Sequence, residues 1–236
     1  MEIRESIDRI VQANLKLGRT AFVESLRKGA SPATLKRLTS KLGKLPAGLK
    51  AALALHDGCN VPEDAPVDPY TIVPGFYWQP AKDLADSLED FPQLAGHYPI
   101  FASAGGDFYG VEVGGTRAAV IFFPVEDDPV KTYDSVETMF ETIAVCIEEG
   151  ACAVDKGYGG LRDDLEKVRP VAARLNPRSR SFWTGERTAV SRRTKKAQQS
   201  PARPARSPKR PSAPPARPRA RRTGTRLNAL QDLEEH

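Results

Sequence analysis

The stretch 201-PARPARSPKRPSAPPARPRARR-222 contains no apolar side chain larger than alanine, and it limits what this chain can fold into more than any other feature. A segment built of Pro, Arg, Ala and Ser buries too little surface to offset the entropy of ordering its backbone, so disorder is expected there. The last apolar pair ahead of it is Phe182-Trp183. The expected organisation is a folded domain over residues 1–183 followed by a disordered Pro/Arg/Ala-rich basic tail over residues 184–236. A unit of about 180 residues is large enough for one self-sufficient core.

Charge divides along the same line. The formal net charge of +5 belongs to the tail, because residues 187–226 carry 14 Lys/Arg and no Asp/Glu. Residues 1–50 hold 11 basic and 4 acidic groups, whereas residues 51–155 hold 3 basic and 19 acidic groups. An acidic middle of that size attracts basic partners and repels nucleic acid. The tail has the opposite character, and three uses are open to it: binding nucleic acid or another polyanion, remaining a solvated appendage, or folding back on the acidic face of its own domain.

Ahead of the tail, apolar spacing predicts the elements. Ile3, Ile7, Ile10, Val11, Leu15 and Leu17 predict an amphipathic helix over residues 3–17, ended by Gly18. Phe22 and Leu26 predict a short second helix stopped by Gly29. Ser31-Pro32 is a start signal, since serine accepts from a free first-turn amide and proline at the first position wastes no donor. Leu45-Pro46 opens a further helix through Leu49, Leu53 and Leu55, which Asp57-Gly58 closes with Gly58 as a left-handed cap. Tyr70 to Trp78 reads as a strand interrupted at Pro74-Gly75, and Pro80 to Leu88 as a helix.

From Tyr98 the period changes to two. The runs 98-YPIFASA-104, 108-FYGVEV-113 and 118-AAVIFF-123 predict three neighbouring antiparallel strands, with Gly114-Gly115 as a tight turn. Ser135 to Glu149 and Leu161 to Leu175 return to helical spacing. Together these elements predict an α+β fold, a small antiparallel sheet flanked by helices.

Gly105-Gly106-Asp107 raises the question of a phosphate-gripping loop. Such a loop needs glycines that lead into a helix, whose free amides hold the anion, and usually a Lys-Ser/Thr pair. Here a strand follows and no lysine comes before Lys131, so the glycines read as a turn. Catalysis has little other material, because His56, His97 and His236 stand in no HExxH or Cys-His arrangement and no GxSxG is present. A hydroxyl nucleophile without a positioned base is not activated, so the chain is not expected to be an enzyme.

Cys59, Cys146 and Cys152 are odd in number and fit neither CxxC nor a disulfide framework, so they read as small buried hydrophobes in a reducing compartment. MEIRESIDRI lacks an apolar h-region, and no stretch reaches the roughly 18 apolar residues of a membrane helix. The expectation is a cytoplasmic protein without membrane contact, and no cofactor is implied.

The order of several short motifs is familiar. Gly29-Ala30-Ser31 before a helix, Leu45-Pro46, 55-LHDG-58, a Pro-Ile strand leading into 105-GGD-107 and the acidic turn 126-EDDP-129 resemble the SMI1/KNR4 family, or SUKH superfamily. The later motifs 148-EEGA-151, 157-GYGG-160, 176-NP-177 and Trp183 are similar to bacterial members, so the resemblance covers about residues 20–183. It implies an α+β domain without catalytic activity; bacterial members act mostly as immunity proteins that neutralise toxins, many of them nucleases, and fungal members as regulatory scaffolds. It also marks Pro46, Asp57, Gly58, Gly105, Gly106 and Asp107 as signature positions. Their residue types fit caps and turns better than partner contacts.

Candidate partner-binding residues come from the acidic middle. Glu63, Asp64 and Asp68 share one loop, Asp83, Asp86, Glu89 and Asp90 surround one helix, and Glu126, Asp127 and Asp128 share another loop. None has the DxDxDG spacing of a calcium site. Each acid taken alone is a solvated side chain; on one shared face they would steer a basic partner. Trp78, in 76-FYW-78, is either an interface anchor or a core side chain. The resulting reading is a non-catalytic immunity protein that meets a basic toxin domain, such as a nuclease, through an acidic surface. The alternative is a regulatory scaffold that uses residues 187–226 to hold nucleic acid or another polyanion.

Overall fold

Ile3, Ile7 and Ile10 bury one face of the first helix, α1 (Ile3–Lys16), in the computed structural model of the chain, which describes residues 2–114 and 117–186. The expectations for the tail beyond Glu186 and for Gly115 lie outside the described residues.

Helix α2 (Thr20–Ser25) is shorter than its apolar spacing suggests. Leu26 turns extended and starts β1 (Leu26–Lys28), so the helix does not run to Gly29. The reason is tertiary: a Cβ on Gly29 would stand 1.9 Å from the Ala54 carbonyl oxygen, so the chain here runs hard against a later helix. Helix α3 (Pro32–Leu42) begins as its sequence predicts, with the Ser31 hydroxyl accepting from the Thr34 amide. Helix α4 (Ala47–Leu55) ends at Leu55, before Asp57-Gly58. Those two residues lie inside β2 (His56–Cys59), paired antiparallel with β1, so Gly58 is left-handed at φ 70° within a strand and caps no helix.

The interrupted strand is a hairpin of β3 (Thr71–Val73) and β4 (Phe76–Trp78) around Pro74-Gly75. Helix α5 (Ala81–Asp90) follows, then β5 (His97–Ser103), β6 (Phe108–Glu112), β7 (Val120–Phe123) and β8 (Val130–Tyr133). The three predicted neighbours are the middle of a six-stranded antiparallel meander in the order β3-β4-β5-β6-β7-β8. Helix α6 (Val136–Glu148) starts with a reciprocal Ser135–Thr138 capping box. Leu161 opens no helix. It starts β10 (Leu161–Asp163), which pairs with β9 (Cys152–Val154), and the last long helix, α7 (Leu165–Leu175), begins only after Asp164 caps it. A short α8 (Arg180–Thr184) completes the described chain.

Strand alternation divides the sheet into two cores. Trp78, Phe101 and Val111 point to the main core with α1, α4 and α6, where the Trp78 and Phe140 rings lie 5.2 Å apart. Ala102, Phe108 and Phe123 point the other way, under Leu88, Phe91 and Leu94 at the end of α5. Trp78 is 1 % exposed, which settles its two readings in favour of the core: it is not available as a surface anchor. Among the described residues no helix is long and apolar enough to cross a membrane.

Two buried polar networks join the first and last described helices to this framework, and spacing alone announces neither. Asp134 accepts from the Arg178 amide and the Ser179 hydroxyl, while its own amide donates to Asn176 Oδ1. Trp183 Nε1 donates to the Thr132 carbonyl at 2.7 Å, so the C-terminal helices are pinned to β8. At the other end Arg19 is 4 % exposed, and its guanidinium donates to Asn14 Oδ1 and to the carbonyls of Thr71, Pro69, Asp68 and Gly159. It stacks over Phe22 and forms no ion pair among the described residues. Burial pulls its pKa down to about 10, so it remains a cation at neutral pH. Arg19→Met should therefore strand several carbonyls and lower the unfolding free energy by about 3 kcal/mol in denaturant titrations, with Arg19→Lys losing less. Unchanged midpoints in Arg19→Met would show that the carbonyls do not depend on the guanidinium.

Candidate functional site

The signature residues are placed by local hydrogen bonds. Pro46 is buried at the start of α4. Asp57 is 8 % exposed, and its Oδ1 accepts from the Ala81 amide at 2.6 Å, which caps α5 from another element. Gly58 lies against the same junction, where a Cβ would stand 2.5 Å from the Gln79 carbonyl carbon and Pro80 nitrogen. Only glycine meets both the left-handed backbone and that approach.

Gly105, Gly106 and Asp107 form the turn between β5 and β6. Ser103 Oγ accepts from the Gly105 and Asp107 amides, and Gly106 is left-handed at φ 88°. Asp107 then reaches out of its own turn. Its Oδ1 accepts from the Val125 amide at 2.9 Å, which ties the β5–β6 turn to the β7–β8 turn. The antiparallel registers place Pro74-Gly75, residues 104–107 and residues 124–129 at one end of the sheet.

That end carries part of the acidic set. Glu126, Asp127 and Asp128 are exposed in the tied turn, beside a Val125 side chain that is 61 % exposed. The end of α5 approaches from the side, with the Phe91 and Phe108 rings 4.7 Å apart, and brings exposed Asp90 nearby. The other nominated acids lie elsewhere. Asp86 lines a groove between α3 and α5 together with Arg37, Lys41 and Lys82, and Asp83 lies 3.7 Å from Lys82. Asp68 precedes β3 at the far end of the opposite sheet edge, where its carbonyl meets Arg19, and exposed Glu63 and Asp64 are on the loop leading to it. The acids are thus distributed over three places, and the turn at 126–128 is the one with an exposed apolar neighbour.

A cavity of about 200 Å³ lies on the main-core side of the sheet, between its strands, α6, and the segment from Cys152 to Trp183. Its wall includes Tyr109, Tyr133 and Trp183, with Asp163 as its charged group. The spacing of the aromatics in the sequence gave no hint of it, since the wall draws on nine elements. Cys59, Cys146 and Cys152 are buried and free, and the last two also line this cavity. Among the described residues no group of three or more His, Cys, Asp or Glu is placed to hold a metal ion.

These features define an α+β scaffold whose motif residues cap and lace its turns, with exposed side chains left on the turn tips. Residues 29–142 match the SMI1 / KNR4 family (SUKH-1). The match includes 55-LHDG-58, 105-GGD-107 and the acidic turn, and it stops within α6; the cavity's C-terminal wall and the Asp134–Asn176 network's distal half lie beyond it. No curated protein matches the chain.

Two predictions follow from these contacts. Asp57→Ala removes the acceptor at the α5 N-terminus and should cost about 1–2 kcal/mol in thermal or denaturant unfolding, whereas Asp57→Asn keeps an acceptor and should cost less. An unaltered Asp57→Ala midpoint would mean that α5 does not need this cap. The second concerns alkaline pH. Burial pushes Tyr98 up to about 12, raises Tyr109 and Tyr133 further, and raises the Cys59 thiol. The folded state holds these protons where the unfolded chain releases them, so their contribution is complete below about pH 9 and is lost as pH rises. Arg19 acts in the opposite sense only above about 10. Tyrosinate absorbance from these three residues should appear together with loss of near-ultraviolet circular dichroism; ionisation ahead of unfolding would contradict their burial.

Proposed function

We propose that this chain is a non-catalytic, immunity-type binding protein that neutralises a basic toxin domain, such as a nuclease, by covering its working surface. The observation that carries this reading is the turn Val125-Glu126-Asp127-Asp128. It combines an exposed apolar side chain with three exposed carboxylates and is held in place by the Asp107–Val125 bond. A fixed cluster of negative charge presents to a nuclease the sign of charge its substrate does, and a preorganised turn loses less entropy on binding. The match to a family that includes immunity proteins supports the same reading. On this reading the other nominated acids, Glu63, Asp64, Asp68, Asp83 and Asp86, contribute to the long-range field, and the protein acts in the cytoplasm.

A second reading rests on residues 187–226, whose 14 Lys/Arg without an acid suit a polyanion. There the domain would be a scaffold that recruits a protein while the basic segment holds nucleic acid.

The test is a nuclease-treated pull-down from source cells with the full chain and with Glu126→Lys/Asp127→Lys/Asp128→Lys, followed by kinetics and co-expression with the captured protein. The immunity reading expects stoichiometric capture of one protein that is toxic alone and harmless with this chain. Its association rate should fall about tenfold or more with added salt or on charge reversal. A captured protein that is harmless by itself, or an association rate indifferent to both salt and charge reversal, would sink that reading. Material removed by nuclease alone would favour the scaffold.

A further inference from the structure

The cavity beside the sheet has a composition that bears on what it can hold. Tyr109, Phe122, Tyr133, Phe182 and Trp183 line it, with neighbouring ring centroids 4.9–6.0 Å apart. The Tyr133 side chain is buried, at 6 % exposure, and neither its hydroxyl nor that of Tyr109 makes a hydrogen bond among the described residues. Asp163 is the charged residue of the lining; it is exposed on β10 and forms no ion pair among the described residues. Arg169, Arg174 and Arg180 line a different groove, which shares only Trp183 with the cavity.

An aromatic wall with one unpaired carboxylate selects by charge. Ring faces carry negative quadrupole density and attract cations, most strongly where water is excluded, and a lone carboxylate adds to that preference. Anions are disfavoured by both. A neutral apolar guest would satisfy the rings but would leave the carboxylate and the two hydroxyls without partners. The volume of about 200 Å³ is below the range of roughly 300–1,000 Å³ typical of drug-sized sites, so the guest is small.

We propose that this cavity is a binding site for a small organic cation, an alkylated ammonium head whose methyl groups meet the aromatic rings while Asp163 balances its charge. The site is independent of the acidic turn, since its lining residues come from β3, β6, β7, β8, α6 and the chain from Cys152 onward. Burial keeps the Tyr109 and Tyr133 hydroxyls protonated at physiological pH, so they act as neutral hydrogen-bonding groups beside the cation.

Trp183 supplies a built-in reporter, because the chain has two tryptophans and Trp78 lies sealed in the core. The full-length protein is titrated at constant ionic strength with choline and with its uncharged isostere, 3,3-dimethylbutan-1-ol, in which carbon replaces the ammonium nitrogen. Saturable fluorescence change with choline, binding of the isostere weaker by roughly tenfold, and a similar loss in Asp163→Asn would support the site. Equal binding of choline and isostere would overturn it without any variant, as would the absence of a saturable response. Choline affinity unchanged in a folded Asp163→Asn would also overturn it. A second arm compares choline with a short peptide carrying trimethyl-lysine: tighter peptide binding assigns the head to a partner's side chain, and tighter choline binding to a free small molecule, each in support of the same site.

Discussion

The junction between β2 and α5 is the contact on which the rest of the molecule depends. The first six elements form a helical half with its own two-stranded ribbon, and the six-stranded sheet is built from later residues. The halves meet where Asp57 caps α5 and Gly58 presses onto Gln79-Pro80. Gln79 carries the junction onward, since it donates to the Pro99 carbonyl and accepts from Ser87. A side chain at Gly58 would push this crossing apart by more than any local adjustment absorbs, and α5 would then leave the second core uncovered.

Legibility in the sequence followed how local each determinant is. The period-two runs gave the central strands, and Ser31 and Ser135 gave helix starts, because in both cases the partners lie within a few residues. Leu161 to Asp163 misled for the opposite reason. Its apolar spacing continues the following helix, yet the backbone is claimed by pairing with Cys152–Val154. The same applies to 55-LHDG-58, where a cap signal within the sequence turned out to serve a different helix 24 residues away. Edge strand β8 is short, and four residues are too few for a period to declare itself.

The site was less legible than the fold. Residue type announced acidic loops, but only topology separates the turn at 126–128 from Asp68 and from the Asp83–Asp86 helix. Arg19 carried no sequence signal at all, since its partners are carbonyls, which every residue has. The aromatic cavity was hidden similarly, because its wall is assembled from residues between Ile72 and Trp183.

Asp107 shows how a structural signature can fix an exposed turn from beneath. One carboxylate oxygen takes part in its own turn through Ser103, and the other fixes the Val125 amide in the next turn. Its position in the 105-GGD-107 motif is therefore accounted for by geometry, with no need of a contact. Under the proposed function, this bond also holds the neighbouring carboxylates in one arrangement before a partner arrives. Negative charge on a loose loop would still steer a basic protein, but would lose entropy on docking. The division that results is a fixed scaffold of caps and ties beneath exposed tips. It explains why motifs identify the fold and say nothing about a partner.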